Sequence, residues 1–146
     1  MKPNNRIVMQ NVTDYTLYDE INMEDRLFVT WDMFERAVTH LYERISDVMN
    51  TRRFDGIYAI PRGGLVLGVK LSYKTGLPLI IDPLRITRDT LVVDDCTKSG
   101  KTLSRFADNI KVVMFNNPAS TCKPDIYYKE VPEQINFCWE SKGERN

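Results

Sequence analysis

The chain has 146 residues, 42% hydrophobic and 27% charged, a composition typical of one globular domain. Lys plus Arg equals Asp plus Glu at 20 each, so no net charge attracts the chain to nucleic acid or to a membrane surface. The three cysteines lack paired spacing and His40 is the single histidine, which argues against a zinc site. The N-terminus has no apolar signal segment, so we expect a cytoplasmic protein with reduced thiols and no nucleic-acid or membrane partner.

The N-terminal part of the chain changes from an irregular to a helical pattern. Residues 1–26 are polar, and we expect an arm or a short edge strand there. Apolar residues at spacings of three and four then predict a helix from Thr30 to Met49, with Thr30 or Asp32 as its capping residue. His40 lies beside the apolar face of that helix, and we interpret it as a boundary side chain rather than a catalytic base.

Short apolar runs alternate with amphipathic segments through the rest of the chain. The predicted strands are 57–60, 77–81, 91–93, 111–115 and 125–128. The predicted helices are 65–74 and 103–109, and Gly76 is predicted to end the first of them in a left-handed conformation. This alternation predicts an α/β fold, a mostly parallel sheet with helices on both faces, in which ligands bind at the carboxyl ends of the strands.

Two loops follow predicted strand ends and carry candidate chemistry. The first begins with Asp94 and Asp95 and continues through small, hydroxyl and basic residues: Thr97, Lys98, Ser99, Gly100, Lys101 and Thr102. Backbone amides in such a loop at a helix start can surround a phosphate, and the carboxylates can hold ribose hydroxyls or a metal ion. The second loop, Arg62-Gly63-Gly64, permits backbone conformations that are closed to residues with a Cβ atom.

The residues alone leave other interpretations open. Gly100-Lys101-Thr102 reads GKT, the end of a Walker A loop, but that motif needs a glycine where this chain has Asp95. A nucleoside triphosphatase is therefore a weak alternative. An ordinary strand, turn and helix with solvated polar side chains is the other alternative, and it predicts no affinity for phosphate.

The stretch TLVVDDCTKSGKTL, from Thr90 to Leu103, resembles the PRPP-binding signature of the type I phosphoribosyltransferases. Upstream, residues 56–64 are similar to the strand and pyrophosphate loop of that family. Residues 29–32 and 135–140 resemble the corresponding segments of the xanthine–guanine branch. The resemblance therefore extends over most of the chain.

This resemblance implies the type I phosphoribosyltransferase fold as a single domain, with an N-terminal arm (1–26) and a small C-terminal hood (129–146). It implies transfer of a phosphoribosyl group from PRPP to a purine-like nitrogenous base, with release of pyrophosphate, as in nucleotide salvage. It also implies Mg²⁺ as cofactor, PRPP and a nucleobase or nucleotide as small-molecule partners, and association into a homodimer.

The resemblance assigns roles to residues of both loops and of the hood. Asp94, Asp95 and Lys98 are placed at the catalytic centre, with the two aspartates at the ribose diol and the metal. Residues Thr97–Thr102 are assigned to the 5′-phosphate. Pyrophosphate is assigned to Arg62, Gly63 and Gly64, where the family often has a cis peptide bond between the first two positions. The base is assigned to Asn117, Ile135 and Phe137.

Three features differ from the xanthine–guanine pattern. Lys98 stands where that branch has an aspartate for the purine N7, and a lysine with an ordinary pKa near ~10.4 cannot act as a base at neutral pH. Asn117 replaces the lysine that recognises the 6-oxo group, and only Asp82–Thr90 remains for the loop that closes over PRPP. These differences leave a second function open, a non-catalytic regulatory module that binds PRPP or a nucleotide in a degenerate active site.

Overall fold

The computed structural model of the protein describes residues 26–140. The predicted arm therefore lies outside the described residues except for Arg26, and so do residues 141–146 of the predicted hood. The described residues fall into two compact units, a smaller one that contains residues 26–36 and 133–140 and a larger one of Ala37–Pro132. The elements follow in the order β1 (Arg26–Val29), α1 (Trp31–Met49), β2 (Gly56–Ala59), α2 (Gly64–Thr75), β3 (Thr90–Cys96), β4 (Lys111–Asn116), β5 (Ile126–Glu130) and β6 (Gln134–Phe137).

The larger unit is built on a parallel sheet with the strand order β2-β3-β4-β5. Every residue of β4 is buried, and so are residues 90–93 of β3. Such continuous buried runs, with mostly apolar residues, are typical of central parallel strands covered on both faces. Helix α2 packs on β2 and β3. The predicted α/β fold with a parallel sheet is confirmed.

The caps predicted for the start of α1 and for the end of α2 are both present. The Thr30 hydroxyl accepts the amide of Met33 at 3.1 Å, so Thr30 caps α1. Helix α2 ends at Gly76, which has a φ of 80° and donates its amide to the carbonyl of Ser72. A left-handed glycine in this position satisfies a carbonyl that the helix itself leaves unpaired.

The predicted strand 77–81 is wrong. It is reduced to a single parallel bridge between Leu79 and Ile57. Pro78 has no amide hydrogen to donate to a sheet, and this limits pairing to the Pro78 carbonyl, which accepts from Ile57, and the Ile80 amide, which donates back to Ile57.

The predicted helix 103–109 is also wrong, because only a 3₁₀ turn at Leu103–Phe106 forms. Asn109 uses its side-chain amide to donate to the carbonyls of Thr87 and Thr90, at 2.7 and 2.8 Å. The Lys111 ammonium donates to the carbonyl of Asn109 at 2.9 Å. These bonds hold the chain in a turn, and Ser, Asp and Asn in this segment favour turns over helix interiors.

The smaller unit contains two strands that the sequence analysis did not identify. β1 and β6 pair in parallel, with Leu27 opposite Ile135 and Val29 opposite Phe137. These four apolar side chains are buried and alternate with more exposed residues. Among residues 26–140, no helix has the length and apolar character needed to cross a bilayer.

Candidate functional site

The acidic pair lies inside a strand rather than after it. β3 continues through Asp94 and Asp95 to Cys96, beyond the predicted end at Val93. Asp94 pairs with Val113 of β4, so this part of the strand is fixed by the sheet. The two carboxylates are therefore held on a rigid element near the carboxyl ends of β2 and β3.

The Arg62-Gly63-Gly64 loop lies directly against the acidic pair. A Cβ atom at Gly63 would overlap the carboxylate of Asp95. One at Gly64 would lie 2.8 Å from the Val93 carbonyl oxygen and 3.2 Å from Asp94 Oδ1. Glycine at both positions thus allows the backbone to approach the carboxylates, and two motifs that are distant in sequence meet at one edge of the sheet.

Burial and mutual repulsion shape the electrostatics of the pair. Desolvation by burial, followed by the charge of Asp95, raises the pKa of Asp94 from 3.8 to about 8. Asp94 Oδ1 accepts the amide of Asp95 at 2.8 Å, and Asp95 Oδ1 accepts the amide of Cys96 at 2.7 Å. Near neutral pH the protein alone keeps a proton on the pair, and a cation bound there would favour the fully ionised form.

The Arg62 loop also offers positive charge and free amides. Arg62 is exposed, and its guanidinium has no partner within residues 26–140. The amides of Arg62 and Gly63 donate to no acceptor in the same range. A cis peptide bond joins Pro61 to Arg62, one residue before the position that the resemblance implied.

The Lys98–Thr102 loop presents a row of unused backbone donors. Within the described part of the chain, four amides of this loop donate to no protein acceptor: those of Lys98, Ser99, Gly100 and Thr102. The side chains of Lys98, Ser99, Lys101 and Thr102 are exposed. Because a 3₁₀ turn rather than an α-helix follows, the predicted contribution of a helix dipole is lost, and anion binding depends on these amides and the two lysines.

Thr97 holds this loop on β4. Its amide donates to the carbonyl of Phe115 at 3.0 Å and its hydroxyl donates to Asn116 Oδ1 at 2.8 Å. The same hydroxyl accepts the amide of Asn117 at 2.9 Å. Thr97 therefore has no donor left for a phosphate, which corrects its predicted role: it positions the loop instead.

No protein-family model matches the chain. Solved structures do match. A purine phosphoribosyltransferase from Pyrococcus horikoshii superimposes with a TM-score of 0.69 at 23% identity, over 84% of this chain and 98% of that one. The xanthine-guanine-hypoxanthine phosphoribosyltransferase of Helicobacter pylori gives 0.66 at 20% identity, over 79% and 94%.

This chain has the type I phosphoribosyltransferase fold. A hypothetical protein from Neisseria gonorrhoeae, solved with bound ppGpp, shares the fold with a TM-score of 0.63 at 18% identity, over 84% of this chain and 93% of that one. The fold predicted from the two loop motifs is confirmed.

The residues predicted to bind the base are divided between the two units of this phosphoribosyltransferase fold. In the larger unit, Asn117 Oδ1 accepts the amide of Ala119 at 2.9 Å, while its side-chain nitrogen donates to nothing among the described residues. In the smaller unit, Ile135 and Phe137 are buried in β6. The ring of Phe137 stacks on Trp139 with centroids 4.7 Å apart. The role of these residues in base recognition stays a prediction.

The segment predicted to cover PRPP is short and anchored. Asp55 accepts the hydroxyls of both Thr87 and Thr90, the latter at 2.9 Å, and the Thr90 amide donates to the Thr87 carbonyl. These bonds fix residues 87–90 at the amino end of β3. Between them and the Leu79 bridge, only the 81–86 stretch remains, with Leu84 exposed.

The chemistry of the acidic pair fits Mg²⁺ bound together with a ligand. Among the described residues there is no cluster of three or more His, Cys, Asp or Glu side chains that could hold a metal by themselves. Mg²⁺ is commonly bound by one or two carboxylates plus substrate phosphates, with water completing its coordination. Asp94 and Asp95 supply that minimal set of hard oxygen ligands.

The raised pKa of Asp94 predicts a pH-dependent effect of Asp94→Asn on stability. Because this pKa rises on folding from 3.8 to about 8, the folded state holds a proton that the unfolded chain releases near pH 4. The contribution of this group to stability therefore falls as the pH rises from about 4 to about 8. Asparagine keeps an oxygen for the Asp95 amide but carries no charge. The free energy of unfolding of the variant should exceed that of the wild type by about 1–3 kcal/mol near pH 8, and the difference should shrink toward pH 5.

Urea denaturation with a chelator at both pH values measures this difference. Asp108→Asn, which removes an exposed carboxylate outside the site, is the matched control and should change stability at neither pH. A variant no more stable than the wild type near pH 8 would contradict the raised pKa of Asp94, which burial and the charge of Asp95 produce.

Proposed function

We propose that this protein binds PRPP with Mg²⁺ and transfers its phosphoribosyl group to a purine-like nitrogenous base, with release of pyrophosphate. The proposal depends on one observation above all, the contact of the Gly63–Gly64 backbone with the carboxylates of Asp94 and Asp95. This contact places candidate groups for pyrophosphate beside candidate groups for the ribose. The fold shared with the Pyrococcus horikoshii and Helicobacter pylori phosphoribosyltransferases supports it.

Each part of the site matches one part of PRPP. The free amides of Arg62 and Gly63 and the Arg62 guanidinium offset the charge of the pyrophosphate. Asp94 and Asp95 accept hydrogen bonds from the ribose hydroxyls and hold Mg²⁺, which when bound neutralises charge on the departing pyrophosphate. The unused amides from Lys98 to Thr102 hold the 5′-phosphate.

In the proposed reaction the bond from ribose C1 to the pyrophosphate oxygen breaks, and a bond from C1 to a base nitrogen forms. The base loses a proton from its nitrogen when it enters as the neutral form. We assign Lys98 to contact with the 5′-phosphate and not to accepting that proton. Water or the phosphate oxygens then take the proton, and Asn117 offers a neutral hydrogen-bond donor to the base.

A titration with PRPP tests the proposal directly. Calorimetry with PRPP and Mg²⁺ should give saturable heat, and Asp94→Asn combined with Asp95→Asn should weaken the affinity at least tenfold, because the metal and the ribose diol lose their charged acceptors. Pyrophosphate release should then follow on addition of one base from a panel of guanine, xanthine, hypoxanthine, adenine, orotate and uracil. No binding heat, or a double variant with unchanged affinity, would contradict the proposal.

Gly63→Ala tests the close approach at the centre of the site. The added Cβ overlaps the carboxylate of Asp95, so either the loop or the carboxylate must move. We expect at least a tenfold loss of affinity for PRPP with Mg²⁺, and a smaller loss for ribose 5-phosphate, which does not reach the pyrophosphate loop.

Gly76→Ala is the matched control for that variant. It strains a left-handed backbone at the far end of α2, where a Cβ meets nothing within 4 Å, so it should lower stability by about 1–2 kcal/mol and leave both affinities unchanged. Equal affinities of Gly63→Ala and wild type for PRPP would show that the contact has no part in binding.

A non-catalytic nucleotide-binding module is the second candidate. It is favoured by Lys98 in place of an aspartate, by the short 81–86 stretch, and by the bound ppGpp in the Neisseria gonorrhoeae protein of the same fold. This candidate predicts saturable binding of PRPP or a guanosine phosphate without pyrophosphate release from any base of the panel. Turnover with one base excludes it. Association into a homodimer stays a prediction of the resemblance.

A further inference from the structure

The turn between β4 and β5 is hydrogen-bonded to the Lys98–Thr102 loop, the proposed phosphate site. The carbonyl oxygen of Ser99 accepts two hydrogen bonds from one residue of this turn, from the Thr121 amide at 2.8 Å and from the Thr121 hydroxyl at 2.9 Å. A paired donation of this kind fixes the direction of the Ser99 carbonyl.

That direction also determines where the next amide points. The Ser99–Gly100 peptide is trans, because the cis bond among the described residues is Pro61–Arg62. In a trans peptide the carbonyl and the following N–H point in opposite directions. The N–H of Gly100 is therefore directed away from Thr121.

The Gly100 amide is an unusual donor because it is both buried and unused. Gly100 is a buried residue, and its amide donates to no acceptor within residues 26–140. More than nine in ten buried backbone amides in proteins have a partner. An amide of this kind in a loop with other unused amides indicates a partner supplied by a ligand.

A second contact of the same turn restrains Gly100 itself. Its φ is +92°, and a Cβ there would lie 2.5 Å from both Ser120 Oγ and the Cys122 amide nitrogen. The turn is stiff in its own right, since Ser120 Oγ donates to the Cys122 carbonyl at 3.0 Å and the Ser120 amide donates to the Asn117 carbonyl. The Lys98–Thr102 loop therefore packs against a turn, residues 117–122, that is stabilised by its own hydrogen bonds.

We propose that Thr121 is a positioning residue for the 5′-phosphate: by holding the Ser99 carbonyl it aims the Gly100 amide at the phosphate. The inference rests on the proposed function of the Lys98–Thr102 loop. Thr121 acts through Ser99 and need not touch the ligand. The turn between β4 and β5, which lies outside both sequence motifs, therefore has a role in binding.

The test compares Thr121→Val, Thr121→Ser and Thr75→Val by calorimetry with ribose 5-phosphate and, separately, with pyrophosphate and Mg²⁺. Valine keeps the shape of threonine but loses the hydroxyl bond, so affinity for ribose 5-phosphate should fall about three- to tenfold. Serine keeps the hydroxyl and should remain within about twofold of wild type. Pyrophosphate binds the Arg62 loop, so its affinity should not change in either variant.

Thr75→Val is the matched control. Its hydroxyl also donates to a carbonyl, that of Leu71 at 2.7 Å, but at the end of α2 opposite Gly64, roughly 17 Å away along the helix. It should lower the melting temperature without changing either affinity.

The outcomes separate this inference from the function on which it rests. Wild-type affinity of Thr121→Val for ribose 5-phosphate, or an equal loss for ribose 5-phosphate and pyrophosphate, would overturn the positioning role and leave the proposed function standing. Failure of the wild type to bind ribose 5-phosphate would overturn the proposed function, and the inference with it.

Discussion

The site depends on the close approach of the Gly63–Gly64 backbone to the carboxylates of Asp94 and Asp95. A parallel sheet brings the carboxyl ends of β2 and β3 to one edge, but it does not by itself allow a loop to touch a strand side chain. The absence of a Cβ atom at Gly63 and Gly64 allows this contact. A single methyl group at Gly63 would separate the Arg62–Gly64 loop from the acidic pair, and the groups proposed to bind the pyrophosphate and the ribose of PRPP would no longer form one site.

The electrostatics of the acidic pair are unfavourable in the protein alone. Burial and the neighbouring charge raise the pKa of Asp94 to about 8, so the pair is fully ionised only at a cost to stability. A site that binds a cation and a polyanion together relieves this cost when it is filled. Under the proposed function, the protein gives up this stability to hold two carboxylates ready for Mg²⁺ and PRPP, a trade-off that is common at functional sites.

Much of the fold could be predicted from local patterns, because α1, α2 and the central strands have apolar periodicity and caps such as Thr30 and Gly76 that act within a few residues. β1 and β6 could not be predicted in this way. Each has only four residues, and the partner that stabilises each strand lies nearly the whole chain away. The pattern at 103–109 predicts a helix, but a turn forms because Asn109 and Lys111, at and beyond the end of that segment, make the hydrogen bonds that fix the chain there. At the site, the motifs identified the two loops, but the internal use of Thr97 and the contact of Thr121 with Ser99 depend on β4 and the turn after it.

The central claim is that the main-chain amides of the Lys98–Thr102 loop hold a sugar phosphate, and an amide-resolved NMR titration with ribose 5-phosphate measures it most directly. The account predicts that the largest saturable shifts occur at the amides of Ser99, Gly100 and Thr102, with the Gly100 amide moving downfield as it gains an anionic acceptor. Saturable shifts confined to residues outside this loop, or none at ligand concentrations that saturate other sugar-phosphate proteins, would contradict it.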